Sequence, residues 1–120
     1  MPRTIEVSDA EVIVRLTGWT AFAALKRELR IPLAAIRSVS TARYTADGIR
    51  LGGTSIPFTD IRGGRFRKNG QWAFLSFENR NRVVALDLDR AHAGVGYDRV
   101  VLGVDDPVAV SEQIESRLGG

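Results

Sequence analysis

The stretch GGRFRKNGQWAFLSF, residues 63–77, predicts a β-hairpin, and the rest of the fold follows outward from it. Asn69-Gly70 is the dipeptide most typical of a two-residue type I′ turn, because both central positions of that turn need a positive φ. Centring the turn there sets Arg67 opposite Trp72 and Phe66 opposite Ala73. The same register pairs Lys68 with Gln71 and Arg65 with Phe74.

The predicted register sorts the hairpin into two faces, since opposed residues of an antiparallel pair share a face of the sheet. One face is apolar, and we predict that it forms the core together with alternate residues of the next strand, VVALDL: Phe66, Ala73, Leu75, Phe77, Val84, Leu86 and Leu88. The other face, called here the aromatic–arginine face, carries two guanidinium groups and two aromatic rings: Arg65, Arg67, Trp72 and Phe74.

Three interpretations of the aromatic–arginine face stay open at the level of sequence. The first is a second layer of core beneath segment 46–62, an otherwise irregular loop that Ile49, Leu51, Ile56 and Phe58 would hold against the core. The second is an interface with a protein, since Trp and Arg are enriched at interface hot spots. The third, and the least favoured, is a platform for stacking nucleic-acid bases.

The flanking sequence adds further strands and two helices. TIEVSDAEVIVRL predicts two short strands, or one bent strand, with Val12 and Val14 on one side. A short amphipathic helix is expected from about Trp19 to Arg27, and Pro32 must end it. LAAI predicts a single turn, and strands are expected in IRSVSTARY and DRVVLGV.

The last segment, DDPVAVSEQIESRLGG, has clear helix signals. Asp106 suits the N-cap position and Pro107 the first helical position. Val110, Ile114 and Leu118 fall at i, i+4 and i+8, which gives one apolar stripe. Gly119 is expected to end the helix. The sequence therefore predicts antiparallel strands followed by one C-terminal helix.

The composition excludes several kinds of chemistry. The 120-residue chain contains no cysteine and one histidine, His92, so it has no disulfide and no thiolate site for zinc. No glycine-rich stretch has the spacing of a nucleotide-binding loop. We therefore predict no enzyme, no cofactor and no metal site. The net charge of +3 is too small to indicate nucleic-acid binding by itself.

Residues 72–77, WAFLSF, fit the aromatic core of the RNP1 motif of RNA-recognition motifs, but the fit is partial. That motif opens with a basic residue and a glycine, whereas the corresponding positions here hold Gly70 and Gln71. The first predicted strands also lack the aromatic residue of the companion motif. The likeness is therefore attributed to strand composition.

The predicted order of elements resembles the pleckstrin-homology-like (PH-like) fold, and three segments resemble small bacterial PH-like domains. These are IPLAAIRSV, the hairpin at residues 63–77, and VVLGVDDPVAVSEQIESRL. The resemblance implies a single mainly β domain over residues 1–120, with about seven strands in a curved antiparallel sheet or partly open barrel capped by the C-terminal helix. It also implies an interaction or assembly module without catalysis. The basic pattern by which eukaryotic relatives bind lipid is missing.

Together these observations predict a non-enzymatic, cytoplasmic module that self-associates or docks a protein partner. The predicted contact surface comprises six residues: Arg65, Arg67, Trp72, Phe74, Trp19 and Phe22. The alternative is weak binding of nucleic acid or another anionic ligand, including anionic lipid, on the same face. No apolar run is long enough to span a membrane, no signal peptide is expected, and the sequence gives no support for peripheral membrane contact.

Overall fold

The structure, a computed structural model, describes residues 3–18, 27–45, 48–89 and 96–118. This part of the chain contains nine β-strands, one single-turn 3-10 helix and one α-helix. The strands are β1 (Arg3–Val7), β2 (Glu11–Leu16), β3 (Glu28–Pro32), β4 (Ile36–Ser40), β5 (Ile49–Ser55), β6 (Arg62–Lys68), β7 (Gln71–Phe77), β8 (Val83–Leu88) and β9 (Arg99–Gly103). The 3-10 turn is Leu33–Ala35, and the α-helix, α1, is Pro107–Leu118.

The strands form two open sheets. One is antiparallel, in the order β1-β2-β3, and the other has the order β4-β8-β9-β7-β6-β5. The predicted mainly β fold with a C-terminal helix is confirmed. The described strands number nine rather than about seven, and they do not close into a barrel. One pair, β7 with β9, is parallel, because β9 inserts between β7 and β8, which the chain connects directly.

The central hairpin has the predicted register. Lys68 pairs with Gln71, and Arg67 pairs with Trp72. The turn residues Asn69 and Gly70 have φ of 53° and 79°, as a type I′ turn requires. Local turn chemistry was therefore sufficient to place every residue of β6 and β7.

The predicted faces of the next strand were wrong. Phe74 pairs with Val100 of β9, and Val100 pairs with Leu86 of β8. Leu86 therefore shares a face with Phe74 rather than with Leu75, and Val84 and Leu88 share that face with it. The assumed β7–β8 hairpin does not exist, and a register error of one residue moves every side chain to the opposite face.

The main core lies between the two sheets and α1. It contains Phe74, whose side chain is fully buried. The large sheet contributes Ile36, Phe74, Val84, Leu86, Leu88, Val100 and Leu102, the small sheet contributes Val7, Val12, Val14, Leu16, Leu29 and Ile31, and the helix contributes Ile114. The face that holds the aromatic–arginine residues is thus, at Phe74, the principal packing face of the protein.

A second apolar cluster lies on the other face of the large sheet. It holds the predicted core residues of the hairpin with residues from β8, β9 and segment 41–45: Tyr44, Phe66, Ala73, Leu75, Phe77, Val83 and Val101. The Tyr44 ring contacts the Phe77 ring edge to face, with centroids 6.2 Å apart. Arg80 holds Tyr44 in place over this cluster. Its Nη1 donates a hydrogen bond to the Tyr44 carbonyl at 3.0 Å, and its Nε donates one to Asp60 Oδ1 at 3.1 Å.

Several local predictions are confirmed. TIEVSDAEVIVRL forms the two strands β1 and β2, with Val12 and Val14 buried on one side. Helix α1 begins at Pro107, and the Ala109 amide donates a hydrogen bond to Asp106 Oδ1 at 3.1 Å, which identifies Asp106 as the N-cap. The helix predicted at 19–27 lies almost wholly outside the described residues. The residues that follow the predicted helix, Glu28–Pro32, form strand β3.

Segment 46–62 is not an irregular loop. Its residues Ile49–Ser55 form β5, which pairs with β6. The glycine-rich stretches LGGTS and RGGRF contribute to this pair, and Gly53 and Gly64 face each other across it. A Cβ built on Gly64 would lie 2.1 Å from the Gly52 carbonyl oxygen. The two strands can approach this closely only because both positions lack a side chain.

The apolar residues of this segment are exposed, contrary to the prediction that they hold it against the core. Ile49 is 70% exposed and Leu51 49% exposed. Ile56 is also exposed, and Phe58, with a φ of 63°, is fully exposed at the turn between β5 and β6. Burial in the core therefore does not account for the apolar character of these four residues.

Phe74 and Phe58 provide a matched pair of phenylalanines for testing the core assignment. We expect Phe74→Ala to lower the free energy of unfolding by about 3–5 kcal/mol, because it leaves a large cavity between the sheets. Phe58→Ala should change it by less than about 0.5 kcal/mol, since that ring is in solvent. Urea denaturation followed by circular dichroism measures both, and equal losses in the two variants would contradict the assignment.

Gly64→Ala tests the close approach of β5 and β6. We expect a loss of about 1–3 kcal/mol from steric conflict and backbone strain, with faster amide hydrogen exchange across Ile49–Ser55. The control is Gly70→Ala: the φ of Gly70 is also positive, 79° against 114° for Gly64, but no atom lies within 4 Å of the added Cβ. If both variants leave the exchange of β5 unchanged, the pairing is not as described.

Candidate interaction site

The predicted contact residues separate into three groups. Arg65 and Arg67 are exposed, and Trp72 is half-buried. Phe74 is fully buried in the main core, so its assignment to a contact surface was wrong. Trp19 and Phe22 lie outside the described residues. The exposed part of the aromatic–arginine face is therefore Arg65, Arg67 and the outer part of Trp72.

The Trp72 ring lies next to both guanidinium groups. The Arg67 Cζ atom is 5.1 Å from the ring centroid, and the Arg65 Cζ atom is 5.4 Å from it. Arg67 is directly opposite Trp72 across the strand pair, and Arg65 is two residues before Arg67 on β6. Both distances are typical of cation–π contacts. The predicted association of these three side chains is present.

Backbone contacts fix the position of Trp72. Its amide donates a hydrogen bond to Asp98 Oδ2 at 2.8 Å, and its carbonyl accepts one from the Asp98 amide at 2.8 Å. The indole also packs against the main core. Trp72 is therefore held in place on one side by the core, and its ring contacts the two arginines.

Tyr97 connects this site to the core. Its ring is 5.6 Å from the Phe74 ring, centroid to centroid. Burial raises the pKa of the Tyr97 phenol, and the positive charge of Arg65 acts in the opposite direction. Arg65 is thus within electrostatic range of a buried phenol as well as of Trp72, so its charge lies at the rim of the main core.

A groove beside these residues is the part of the site that the sequence interpretation missed. It has a volume of about 350 Å³ and lies between the start of β5 and the tip of the β6–β7 hairpin. Ile49 and Leu51 form its apolar wall, and Arg67 and Lys68 its basic wall. The i, i+2 spacing of Ile49 and Leu51 was the available signal for a strand with one apolar face, but neighbouring glycines made the segment resemble a loop.

The basic side chains here are not neutralised. Within the described residues, no carboxylate oxygen lies within 4.0 Å of a charged nitrogen of four cations on β5 and β6: Arg50, Arg65, Arg67 and Lys68. All four are exposed. This end of the large sheet therefore has an uncompensated positive charge.

The small sheet has a different charge arrangement. On its outer face Arg15 pairs with Glu6 at 2.7 Å. Arg30 pairs with Glu28 at 3.1 Å and also with Glu11. Neighbours of opposite sign, on the same strand or on adjacent strands, neutralise each other there. The positive charge at β5 and β6 is thus a local feature, and the modest net charge of the chain does not account for it.

Another ionisable group, Asp87, is used in contacts within the protein. Asp87 accepts hydrogen bonds from Arg99 at 2.6 Å and from Ser38 at 3.0 Å. His92 lies outside the described residues. Among the residues that are described, no group of three or more His, Cys, Asp or Glu side chains could hold a metal ion.

A second cavity, of about 480 Å³, lies beside Arg3 and Val104. Arg3 donates hydrogen bonds to Ser76 Oγ at 3.0 Å and to the Gly103 carbonyl at 2.7 Å. It also pairs with Glu78 at 2.5 Å. Its charge and donors are thus used within the protein, so this cavity offers less to a ligand than the groove at β5.

Comparisons with protein-family models, with curated proteins and with solved structures found no match. In the described part of the chain, no helix has both the length and the apolar character needed to cross a membrane. The function of the site has to be inferred from its own geometry and charge.

A double-mutant cycle measures the contact between Arg67 and Trp72. We expect Arg67→Ala and Trp72→Leu to show a coupling of about 0.5–1 kcal/mol in the free energy of unfolding, the usual strength of an exposed cation–π contact. The same cycle with Arg82→Ala, an exposed arginine preceding β8, is the control and should show no coupling. A zero value for the Arg67 cycle would mean that the contact has no net stabilising effect.

Proposed function

We propose that the chain is a non-enzymatic interaction module that binds a protein partner or a second copy of itself. Its contact surface comprises Arg65, Arg67 and the outer part of Trp72, together with the exposed Ile49 and Leu51 of β5. The observation that carries this proposal is the uncompensated basic cluster next to exposed aliphatic side chains. These basic and aliphatic side chains are all exposed, and none belongs to either apolar cluster.

The composition of the surface supports a protein partner. Trp and Arg are the residue types most enriched at interface hot spots, where aliphatic neighbours exclude water. Four of the five large apolar side chains found exposed in the described residues lie on β5 or on the turn that follows it: Ile49, Leu51, Ile56 and Phe58. Such clustering differs from the single scattered apolar residues of an ordinary surface.

The PH-like resemblance is part of this proposal. The mainly β composition and the C-terminal helix are compatible with it, while the parallel β7–β9 pair departs from the all-antiparallel sheet that it implies. The predicted absence of catalysis and the cytoplasmic location remain predictions. The interaction role itself depends on the exposed residues, whatever the ancestry of the fold.

Binding of an anionic ligand is the second candidate, because β5 and β6 carry four cations without a carboxylate partner in the described residues, two on each face of the sheet. Stacking of nucleic-acid bases on this site is disfavoured, since Phe74 is buried and both guanidinium groups lie near the ring of Trp72. The remaining form is a phosphate-dominated contact. Its affinity would fall steeply with salt, as each phosphate contact releases counterions.

Charge reversal tests the proposed surface without disturbing the core. We expect the Arg65→Glu and Arg67→Glu double variant to lose most of the self-association or partner binding of the wild type. Light scattering after size exclusion measures the first. Capture by the immobilised chain, with captured proteins identified by mass spectrometry, measures the second.

The matched control is the Arg43→Glu and Arg82→Glu double variant. It has the same net charge, and its two arginines are also exposed without a carboxylate partner in the described structure. It should behave as the wild type. The proposal fails if the two variants behave alike, or if the wild type is monomeric and captures nothing.

A further inference from the structure

We infer that the partner contributes an acidic, extended segment that pairs with β5 as an additional strand of the large sheet. This inference rests on the proposed function and narrows it, from a protein partner or a second copy to a different protein with a stated chemistry. Three features carry it: a free strand edge, exposed aliphatic side chains on that strand, and the unpaired cations beside it.

The edge of β5 is available for pairing. Its described neighbour is β6 alone, so one row of its backbone N–H and C=O groups has no partner strand in the described part of the sheet. Such an edge is a template for another strand. The opposite edge of the sheet differs, because β4 packs against α1 and pairs its Arg37 with Asp89.

A β-bulge adjusts the start of this edge. The register between β5 and β6 shifts between Arg50 and Gly52, which leaves Leu51 without a directly opposed residue. A bulge can redirect a side chain. Here Leu51 lines the groove together with Ile49. An added strand at this edge would therefore lie directly beside Ile49, Arg50 and Leu51, and the cations of β6 would lie one strand further away.

The positive charge of β5 and β6 favours an acidic partner segment over a second copy of the chain. A second copy pairing through its own β5 would bring two sets of the four cations into one interface. Like charges in an interface are unfavourable, whereas carboxylates would form charge-assisted hydrogen bonds with the guanidinium groups. The favoured occupant therefore alternates Asp or Glu with aliphatic residues. Its aliphatic side chains would lie on the face of Ile49, and its carboxylates on the opposite face, which carries Arg50 and Lys68.

The test uses a defined probe, a capped decapeptide of alternating Glu and Val, titrated into the isotopically labelled chain at 50 mM salt. We expect saturable chemical-shift changes confined to residues 48–55 and the β6–β7 hairpin. A Lys–Val peptide of the same length should bind at least about tenfold more weakly, because its charge matches that of the site. The same Glu–Val peptide N-methylated at four consecutive central residues should also lose affinity, since its backbone cannot pair on either edge.

Protein variants complete the test. The Arg50→Glu and Lys68→Glu double variant should bind the Glu–Val peptide about tenfold more weakly, while the Arg43→Glu and Arg82→Glu double variant should stay within about twofold of the wild type. A ten-nucleotide oligothymidine and phosphatidylglycerol vesicles are the competing probes. Exclusive binding of either one would overturn the inference and favour phosphate recognition.

The outcomes separate this inference from the proposed function. If the N-methylated peptide binds as well as the unmodified one, or no acidic peptide binds at millimolar concentration, strand addition is wrong. The proposed function then still holds, provided that charge reversal abolishes partner capture or self-association. If charge reversal changes neither capture nor self-association, both the proposed function and the inference fail.

Discussion

The burial of β7 on both faces is the constraint on which the rest of the structure depends. Phe74 enters the core between the sheets, while Leu75 and Phe77, on the opposite face, enter the second cluster. A strand covered on both sides needs apolar neighbours on both sides, and β9, with the buried run Val100–Leu102, supplies them. The parallel β7–β9 pair lies in the interior of the sheet, as is usual for parallel strands that are covered on both faces.

The described elements that cover the two faces of the large sheet do not extend over its β5 edge. The small sheet and α1 cover one face around Phe74, and segment 41–45 covers the other through Tyr44 and Arg80. Strand β5 lies beyond both covers, attached through β6 and through the Gly53–Gly64 approach. Its exposed Ile49 and Leu51 follow from that position, because no described element packs over them.

The sequence predicted the parts of the fold that local chemistry determines. Asn69-Gly70 set the hairpin register, and Asp106 and Pro107 set the start of α1. The errors arose where pairing between strands that are distant in the sequence determines which face a side chain lies on. Nothing local distinguishes a β7–β8 hairpin from a pair separated by β9, so Leu86 was placed on the wrong face. Phe74 was assigned to the surface for the same reason, because its burial depends on the small sheet packing against it. The association of Arg65, Arg67 and Trp72 was predictable, since it depends only on the hairpin.

The basic cluster at β5 can also be considered a protection against aggregation, because charged residues near a free edge discourage pairing between identical chains. Protection alone does not explain exposed Ile49 and Leu51, which make an edge more adhesive. The positive charge and the exposed aliphatic side chains are consistent with each other if the edge binds an acidic strand of another protein. The four cations that repel a second β5 would attract an acidic strand. One charge distribution therefore disfavours self-pairing and favours the complex with the acidic strand. Specificity of this kind needs a repulsive element as well as an attractive one, and both are present at this edge.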